Sequence, residues 1–165
     1  MKQTILNQLE IYITAQKTIA NYFMLLGVLL IILAVLFYFV GTNSLFNGLK
    51  IGFLILGFIS IVSGYAYRIT EEKLLKKQIV LYHNYSSQFH RIERIRMEKV
   101  VKNFPVYQMV SIGIIIISLI VIFFDKNNFL HGILFSVIIY FLGNMIIEKV
   151  SKPYIDKYYE QVLNS

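Results

Sequence analysis

Residues 51–81 read IGFLILGFISIVSGYAYRITEEKLLKKQIVL, and this stretch decides the fold. Its first 17 residues carry no charge. A helix rises about 1.5 Å per residue, so a stretch of this length can span a hydrocarbon core about 30 Å thick. Arg68 then follows directly and opens a charged segment. The stretch predicts a membrane-spanning helix that continues into a polar helix on one side of the bilayer.

Three further uncharged stretches have the length of a membrane span: residues 19–40, 106–124 and 129–147. Of the 16 Lys and Arg residues, 14 lie before the first span, between the second and third, or after the fourth. Because basic loops stay in the cytoplasm, we expect both termini and the central segment there, and the two short loops outside. The sequence predicts an all-α protein with four transmembrane helices in a bacterial inner membrane.

Composition excludes several classes of function. The chain has no Cys, which rules out disulfides, thiol catalysis and thiolate metal sites. No Asp, Glu, Lys or Arg lies inside a span, and His131 lies at the outer end of the fourth, which argues against an ion-coupled transporter. The net charge of +7 is typical of cytosolic segments that contact anionic headgroups, so we expect a lipid bilayer as partner and no specific nucleic-acid binding. No catalytic motif occurs, and we expect no enzyme activity and no cofactor.

The sequence also predicts an internal duplication, with one repeat over residues 1–84 and the other over residues 85–165. Residues 17–24 share Lys, Tyr and Met with residues 102–109 at an offset of 85. The outer loops share Asn and Gly at an offset of 84, residues 43–48 matching residues 127–132. Since each repeat holds two spans, the two hairpins should be parallel and related by a pseudo-two-fold axis along the membrane normal.

The central segment must fold back, because a single helix over residues 68–104 would end far from the membrane surface that the third span has to re-enter. Asn and Ser favour turns, so the reversal is expected at residues 83–87, between a helix that ends near Leu81 and one that begins at Ser87. Pro105 would open the third span, a position that tolerates proline.

The polar segments have helical spacing of apolar residues. They are expected either to form a cytosolic four-helix bundle or to lie flat on the headgroups. The expected inner positions are Ile5, Leu9, Tyr12, Tyr85, Phe89, Ile92, Ile95, Ile155, Tyr158, Tyr159 and Val162.

Small residues mark close helix packing in lipid, where no hydrophobic effect drives helices together. They concentrate in the second span, which we expect to be the central packing element, while the first span should mainly face lipid. The small residues are Gly48, Gly52, Gly57, Ser60 and Gly64.

Spans three and four hold the polar side chains within the membrane, which form a candidate polar seam: Gln108, Ser111, Ser118, Ser136, Tyr140 and Asn144. Asn144 is the costliest of them to bury, because its amide needs partners. Either these side chains hydrogen-bond between helices, or they line a water path once several subunits assemble.

Two segments of the basic region carry spaced acidic, Tyr and Arg residues: residues 71–73, EEK, and residues 85–91, YSSQFHR, followed by Arg94. With the preceding helix and two-span hairpin, over about residues 1–100, they resemble SLATT-type membrane effectors of bacterial conflict systems, here duplicated or extended. The resemblance implies an oligomer that breaches or senses the membrane when a cytosolic partner signals.

The leading hypothesis is therefore a non-enzymatic, homo-oligomeric membrane effector or sensor of a bacterial antiviral defence system, which either forms a pore or acts without one. The candidate surface for a cytosolic protein partner consists of Arg91, Arg94, Arg96 and Lys99. Two alternatives stay open: an immunity protein against a membrane-active toxin, and a scaffold subunit of a larger membrane complex.

Overall fold

A computed structural model of the chain describes residues 2–164, and the side chains of all of these except residues 2–4 and 87. The chain forms four helices: α1 Lys2–Val40, α2 Ser44–Asn84, α3 Ser86–Phe124 and α4 Asn128–Leu163. All four are long and apolar enough to cross a membrane. The all-α fold with four helices of spanning length is confirmed.

Each predicted span is continuous with the polar segment beside it. Pro105 therefore lies inside α3, and the prediction that it opens the third span is wrong. Pro153 is likewise inside α4. A proline in a helix interior removes one backbone hydrogen bond. Here α3 continues across it, because inner residues of its polar segment, such as Met97, are held in the apolar cluster of the polar bundle.

The connections between helices are short and capped. The side chain of Asn43 accepts a hydrogen bond from Phe46 N at the start of α2, and Asn127 does the same for Phe129 N at the start of α4. Such caps satisfy backbone donors that a helix leaves open. Tyr85 alone separates α2 from α3, at φ −144° and ψ 63°. The chain reverses there, inside the predicted segment of residues 83–87.

The polar segments of all four helices pack together as a bundle, called here the polar bundle (residues 5–18, 68–105 and 148–163). Its buried apolar cluster comprises Ile5, Leu9, Tyr12, Ile13, Tyr82, Phe89, Met97, Ile155, Tyr158 and Val162. Burying each large side chain of this kind stabilises the fold by about 1.5–3 kcal/mol. The four-helix arrangement, rather than separate helices lying flat, is the one observed.

The inner face of α3 differs from the prediction. Tyr85, Ile92 and Ile95 were expected inside but are 58%, 44% and 59% exposed. Phe89 is buried as expected, and the other buried positions are Glu93 and Met97, each four residues after the one before. A charged residue occupies the middle of this inner face because it has partners there, and the helix consequently turns its isoleucines outward.

In the remaining part of the molecule, the apolar half (residues 19–67 and 106–147), α2 is packed on two sides. Gly48 and Gly52 lie against α4, where a methyl group added to Gly52 would come within 2.7 Å of the Ser136 side chain. Gly57 and Gly64 lie against α1. Between them the Ser60 hydroxyl donates a 2.7 Å hydrogen bond to the Phe23 carbonyl of α1.

The crossing of α2 and α4 has reciprocal contacts. A methyl group on Gly48 would overlap the Phe129 carbonyl, and one on Gly132 would overlap the Leu45 carbonyl. The two glycines also touch each other. Residue 129 follows residue 45 by 84 positions, as residue 132 follows residue 48. The reciprocal contacts thus join positions that the 84-residue offset of the sequence relates.

Helix α3 is the most peripheral of the four in the apolar half. Its most apolar stretch has the fewest buried residues, whereas that of α2 has the most. Among the described residues, no Cα atom of α1 comes within 8 Å of one in α3. A side chain added at Gly113 of α3 would meet nothing within 4 Å. The first span, expected mainly to face lipid, is thus more closely packed than the third.

Candidate functional site

Eight polar or aromatic side chains meet where the polar bundle joins the apolar half. We call them the junction cluster, and they are Tyr12, Gln16, Tyr67, Glu71, Glu93, Arg96, Ser151 and Tyr158. Every helix contributes at least one of them. The cluster is therefore a contact point through which all four helices are joined.

A buried ion pair lies at the centre of the cluster. Glu93 is fully buried, and Arg96 reaches it with Nε at 2.9 Å from Oε2 and Nη2 at 2.6 Å from Oε1. The Tyr158 hydroxyl of α4 donates a 2.9 Å hydrogen bond to Oε1 of Glu93. Removing one partner of such a pair leaves an uncompensated buried charge, which costs about 3–5 kcal/mol.

Aromatic rings extend the ion pair to α1. The Tyr12 and Tyr158 rings stack with centroids 4.8 Å apart, and the Arg96 guanidinium lies 5.4 Å from the Tyr12 centroid. Stacked rings and a cation over a ring face are both attractive arrangements. Burial raises the pKa of the Tyr12 hydroxyl to about 12, so it stays protonated.

A second set of hydrogen bonds lies nearer the apolar half and centres on Gln16, which is 1% exposed. Its Oε1 accepts hydrogen bonds from the Tyr67 hydroxyl at 2.8 Å and the Ser151 hydroxyl at 3.2 Å. These bonds connect α1 with α2 and α4. The Gln16 Nε2 has no hydrogen-bond partner among the described atoms.

Glu71 is a second buried carboxylate in the cluster, one turn beyond Tyr67 on α2. It is 6% exposed, and its Oε2 has no hydrogen-bond partner among the described residues. Burial raises the pKa of Glu71, although the charge of Arg96 and the Tyr67 hydroxyl draw it down. The charge of Arg96 thus acts on Glu71 while its guanidinium is paired with Glu93, which leaves the cluster sensitive to the protonation of Glu71.

A cavity of about 540 Å³ adjoins the cluster and is lined by all four helices. Its walls include residues at the ends of the spans, such as Ile19, Tyr67 and Tyr107, and Glu148 just after the fourth. The cavity therefore lies at the level where the apolar half gives way to the polar bundle.

The predicted seam residues have several different environments. Ser111 and Ser118 are buried and bond the Tyr107 and Ile114 carbonyls of their own helix. Ser136 bonds its own helix at Gly132 O (3.0 Å) and crosses to Leu49 O of α2 (3.3 Å).

The other three seam residues are Asn144, Gln108 and Tyr140. Asn144 is buried, and its Oδ1 has no partner among the described residues. Gln108 is half-buried, and Tyr140 is half-buried beside the cavity. Of the six side chains, Ser136 is the one for which a hydrogen bond between helices is observed.

Three of the four residues predicted as a partner surface are exposed on α3: Arg91, Arg94 and Lys99. Arg96 does not belong to that surface, because its side chain is only 20% exposed and turns inward to Glu93. Ile92 and Ile95, expected in the core, lie on the outside instead. The exposed surface of α3 is thus both basic and apolar.

Sequence reasoning missed the junction cluster, apart from Tyr12 and Tyr158, which were expected only as core residues. Glu93 was not among the expected inner positions. Its spacing of four residues from both Phe89 and Met97 was the signal that could have placed it inside. Gln16 follows the expected inner residue Tyr12 by four positions and carried the same signal, whereas Glu71 has no expected inner residue four positions away.

Comparison of the chain with protein-family models, with characterised proteins and with solved structures gave no match.

Proposed function

We propose that this chain is a non-enzymatic, oligomeric membrane effector or sensor of a bacterial defence system, in which a cytosolic partner acts on α3 and the apolar half responds. One observation carries the proposal. Helix α3 bears the exposed basic and apolar surface, is joined to the other helices through the junction cluster, and is the least packed helix in the apolar half.

The surface on α3 fits a protein partner with apolar residues ringed by acidic ones. Ile92 and Ile95 present large apolar side chains beside Arg91 and Arg94. Large exposed apolar side chains next to arginines are typical of interaction surfaces. The resemblance to SLATT-type effectors concerns this same region, since residues 85–91 and Arg94 carry it.

The inner face of α3 would transmit the effect of the bound partner to the membrane. A partner that rotates or shifts α3 would separate Arg96 and Glu93 from Tyr158 and Tyr12 on the neighbouring helices. The energetic cost of breaking these contacts makes two discrete arrangements more favourable than a gradual shift. Because α3 is one helix, the movement would continue into its apolar part.

In the apolar half, movement of α3 would uncover polar groups that are now buried. Ser111 and Ser118 lie on α3, and the unpartnered Oδ1 of Asn144 lies on α4. Several subunits that opened in this way would bring such groups around a shared water path. The reciprocal contacts of Gly48 with Gly132 support an origin by duplication, in which one hairpin became the rigid and the other the responsive unit.

The function is tested by dye uptake and membrane depolarisation in bacteria that express the chain with its neighbouring genes. The double variant Ile92→Glu/Ile95→Glu should abolish permeabilisation while the protein still accumulates in the membrane. Ile11→Glu, at an apolar residue of α1 that is 46% exposed, is the matched control and should stay active. Absence of ion flux under every trigger, with protection of cells against a membrane-active toxin, would instead show an immunity protein.

The proposed orientation has its own test, because the chain has no Cys of its own. Single Cys residues at Asn43 and Asn127 should react with an impermeant thiol reagent in intact cells, whereas one at Asn84 should not. Reaction at position 84 in intact cells would overturn the scheme of a cytosolic polar bundle and cytosolic partner.

A further inference from the structure

The cavity beside the junction cluster has one apolar and one polar end. Phe23, Tyr107 and Tyr140 line its apolar part, and Lys99, Asn103 and Glu148 its polar part. Its volume of about 540 Å³ lies within the range of about 300–1,000 Å³ that is usual for small-molecule sites. Such walls fit an amphiphile better than either a soluble ion or a pure hydrocarbon.

The two charged groups at the polar end are both available. Among the residues that the structure describes, the Lys99 ammonium has no carboxylate within ion-pair distance. The Glu148 Oε2 is buried and has no hydrogen-bond partner in that same part of the chain. Lys99 and Glu148 line one cavity without pairing with each other. Arg96 also lines it, but its guanidinium is already bound to Glu93.

A separated cation and carboxylate match a ligand that carries both charges. A phosphate would lie at Lys99, with Asn103 as an additional hydrogen-bond donor. A primary ammonium would lie at Glu148 and donate to Oε2, because a buried oxygen without a partner needs a hydrogen-bond donor. A quaternary ammonium has no N–H to donate, and a glycerol headgroup has no positive charge.

The position of the cavity identifies the source of this ligand. It lies where the spans end, between the apolar half and the polar bundle, which is the depth of phospholipid headgroups in one leaflet. Helices α1 and α3 stay apart here, and the aromatic wall provides contact for the first part of an acyl chain.

We propose that this cavity is a specific site for a phospholipid with an ethanolamine headgroup, held by Lys99 at its phosphate and by Glu148 at its amine. The site requires only that the apolar half is in a bilayer, so it does not depend on the proposed defence function. A lipid there would contact all four helices at their junction and hold α3 in place.

Native mass spectrometry of the full chain in detergent tests the site, with added phosphatidylethanolamine, phosphatidylcholine or phosphatidylglycerol of identical acyl chains. The first should bind at least about tenfold more tightly than the other two, which corresponds to about 1.4 kcal/mol, near the lower limit for one hydrogen bond to a charged group. Equal binding of all three lipids would overturn the proposal, and so would a preference for phosphatidylglycerol or phosphatidylcholine.

Two substitutions separate the contributions of the two charges. Glu148→Gln should remove the preference for the ethanolamine headgroup and leave residual phosphate-dependent binding. Lys99→Gln should weaken the binding of all three lipids. The matched controls are Glu160→Gln and Lys77→Gln, at exposed positions of the polar bundle, which should bind as the unmodified chain does. An unchanged ethanolamine preference in Glu148→Gln would contradict the assignment of the amine.

Discussion

The pair α1–α2 and the pair α3–α4 have the same plan but different packing. Each consists of two long helices joined by a short loop with an Asn cap. In the first pair, a methyl group added to Gly57 would come within 2.8 Å of the Gly27 carbonyl. In the second pair, Gly113 faces open space.

The difference shows what close helix packing requires in lipid, where no hydrophobic effect drives helices together. Small residues bring backbones together only where both helices have one at the crossing point. Helix α4 offers Gly132 and Ser136, but it turns them to α2. The serines of α3 bond their own helix, so α3 is held mainly by the polar bundle and the junction cluster.

The largest effect is expected at the glycine contact between the two pairs. In Gly48→Leu the new side chain would overlap the Phe129 carbonyl, which is backbone and cannot rotate away. We expect loss of the folded, monodisperse protein in detergent, measured by size-exclusion chromatography. Gly113→Leu is the control and should keep its elution volume and melting midpoint. Equal tolerance at both sites would contradict the packing difference.

The next effect concerns the junction cluster, which holds α3 to the rest. Arg96→Ala leaves Glu93 buried and unpaired, and we expect about 3–5 kcal/mol of lost stability in a detergent unfolding titration. Arg94→Ala changes the same residue type on the exposed face of the same helix and should cost less than about 0.5 kcal/mol. Similar losses of stability in the two variants would show that the ion pair does not anchor α3.

The sequence was sufficient to predict four helices of spanning length and the reversal near Tyr85, because each depends on local properties. Hydropathy and length define a span, and Asn or Ser at a break defines a turn or cap. The inner face of α3 was not predictable in this way. Ile92 and Ile95 have the more apolar side chains, yet Glu93 is inside, because its partner Tyr158 lies 65 residues away in the chain.

The environments of the seam residues were also not predictable from local sequence. Composition correctly identified polar atoms in the third and fourth spans, but whether each one bonds its own helix or another depends on helix rotation. The sequence alone does not set that rotation. Ser118 and Ser136 are both buried serines inside apolar helices, and only the second reaches a neighbouring helix.

A smaller effect follows from this contrast between serines. Ser136→Ala removes a hydrogen bond that crosses from α4 to α2, and we expect about 0.6 kcal/mol of lost stability, the average for such bonds in membranes. Ser118→Ala removes a bond within α3 and should leave the free energy of unfolding unchanged. The two are compared in one unfolding titration. A larger loss at Ser118 would mean that α3 makes closer contacts than described.

The smallest effect is a pH dependence that distinguishes two adjacent carboxylates of α2. Burial raises the pKa of Glu71 above its ordinary value of 4.5, whereas a hydrogen bond from Lys17 lowers the pKa of the exposed Glu72. The folded chain therefore keeps a proton on Glu71 at pH values where the unfolded chain has lost it. Its contribution is present below the unfolded pKa and is lost as pH rises through the folded pKa.

Glu71→Gln removes this titration, so its melting midpoint should exceed that of the unmodified chain by a few degrees at pH 8 and match it at pH 4. Glu72→Gln should behave oppositely, because the contribution of Glu72 is present above the unfolded pKa and is lost as pH falls through the folded one. That variant should be slightly less stable at pH 8, with no difference at the lowest pH. Thermal unfolding at several pH values measures both, and a Glu71→Gln variant that is less stable at pH 8 would show that the ionised carboxylate is bound favourably in the junction cluster.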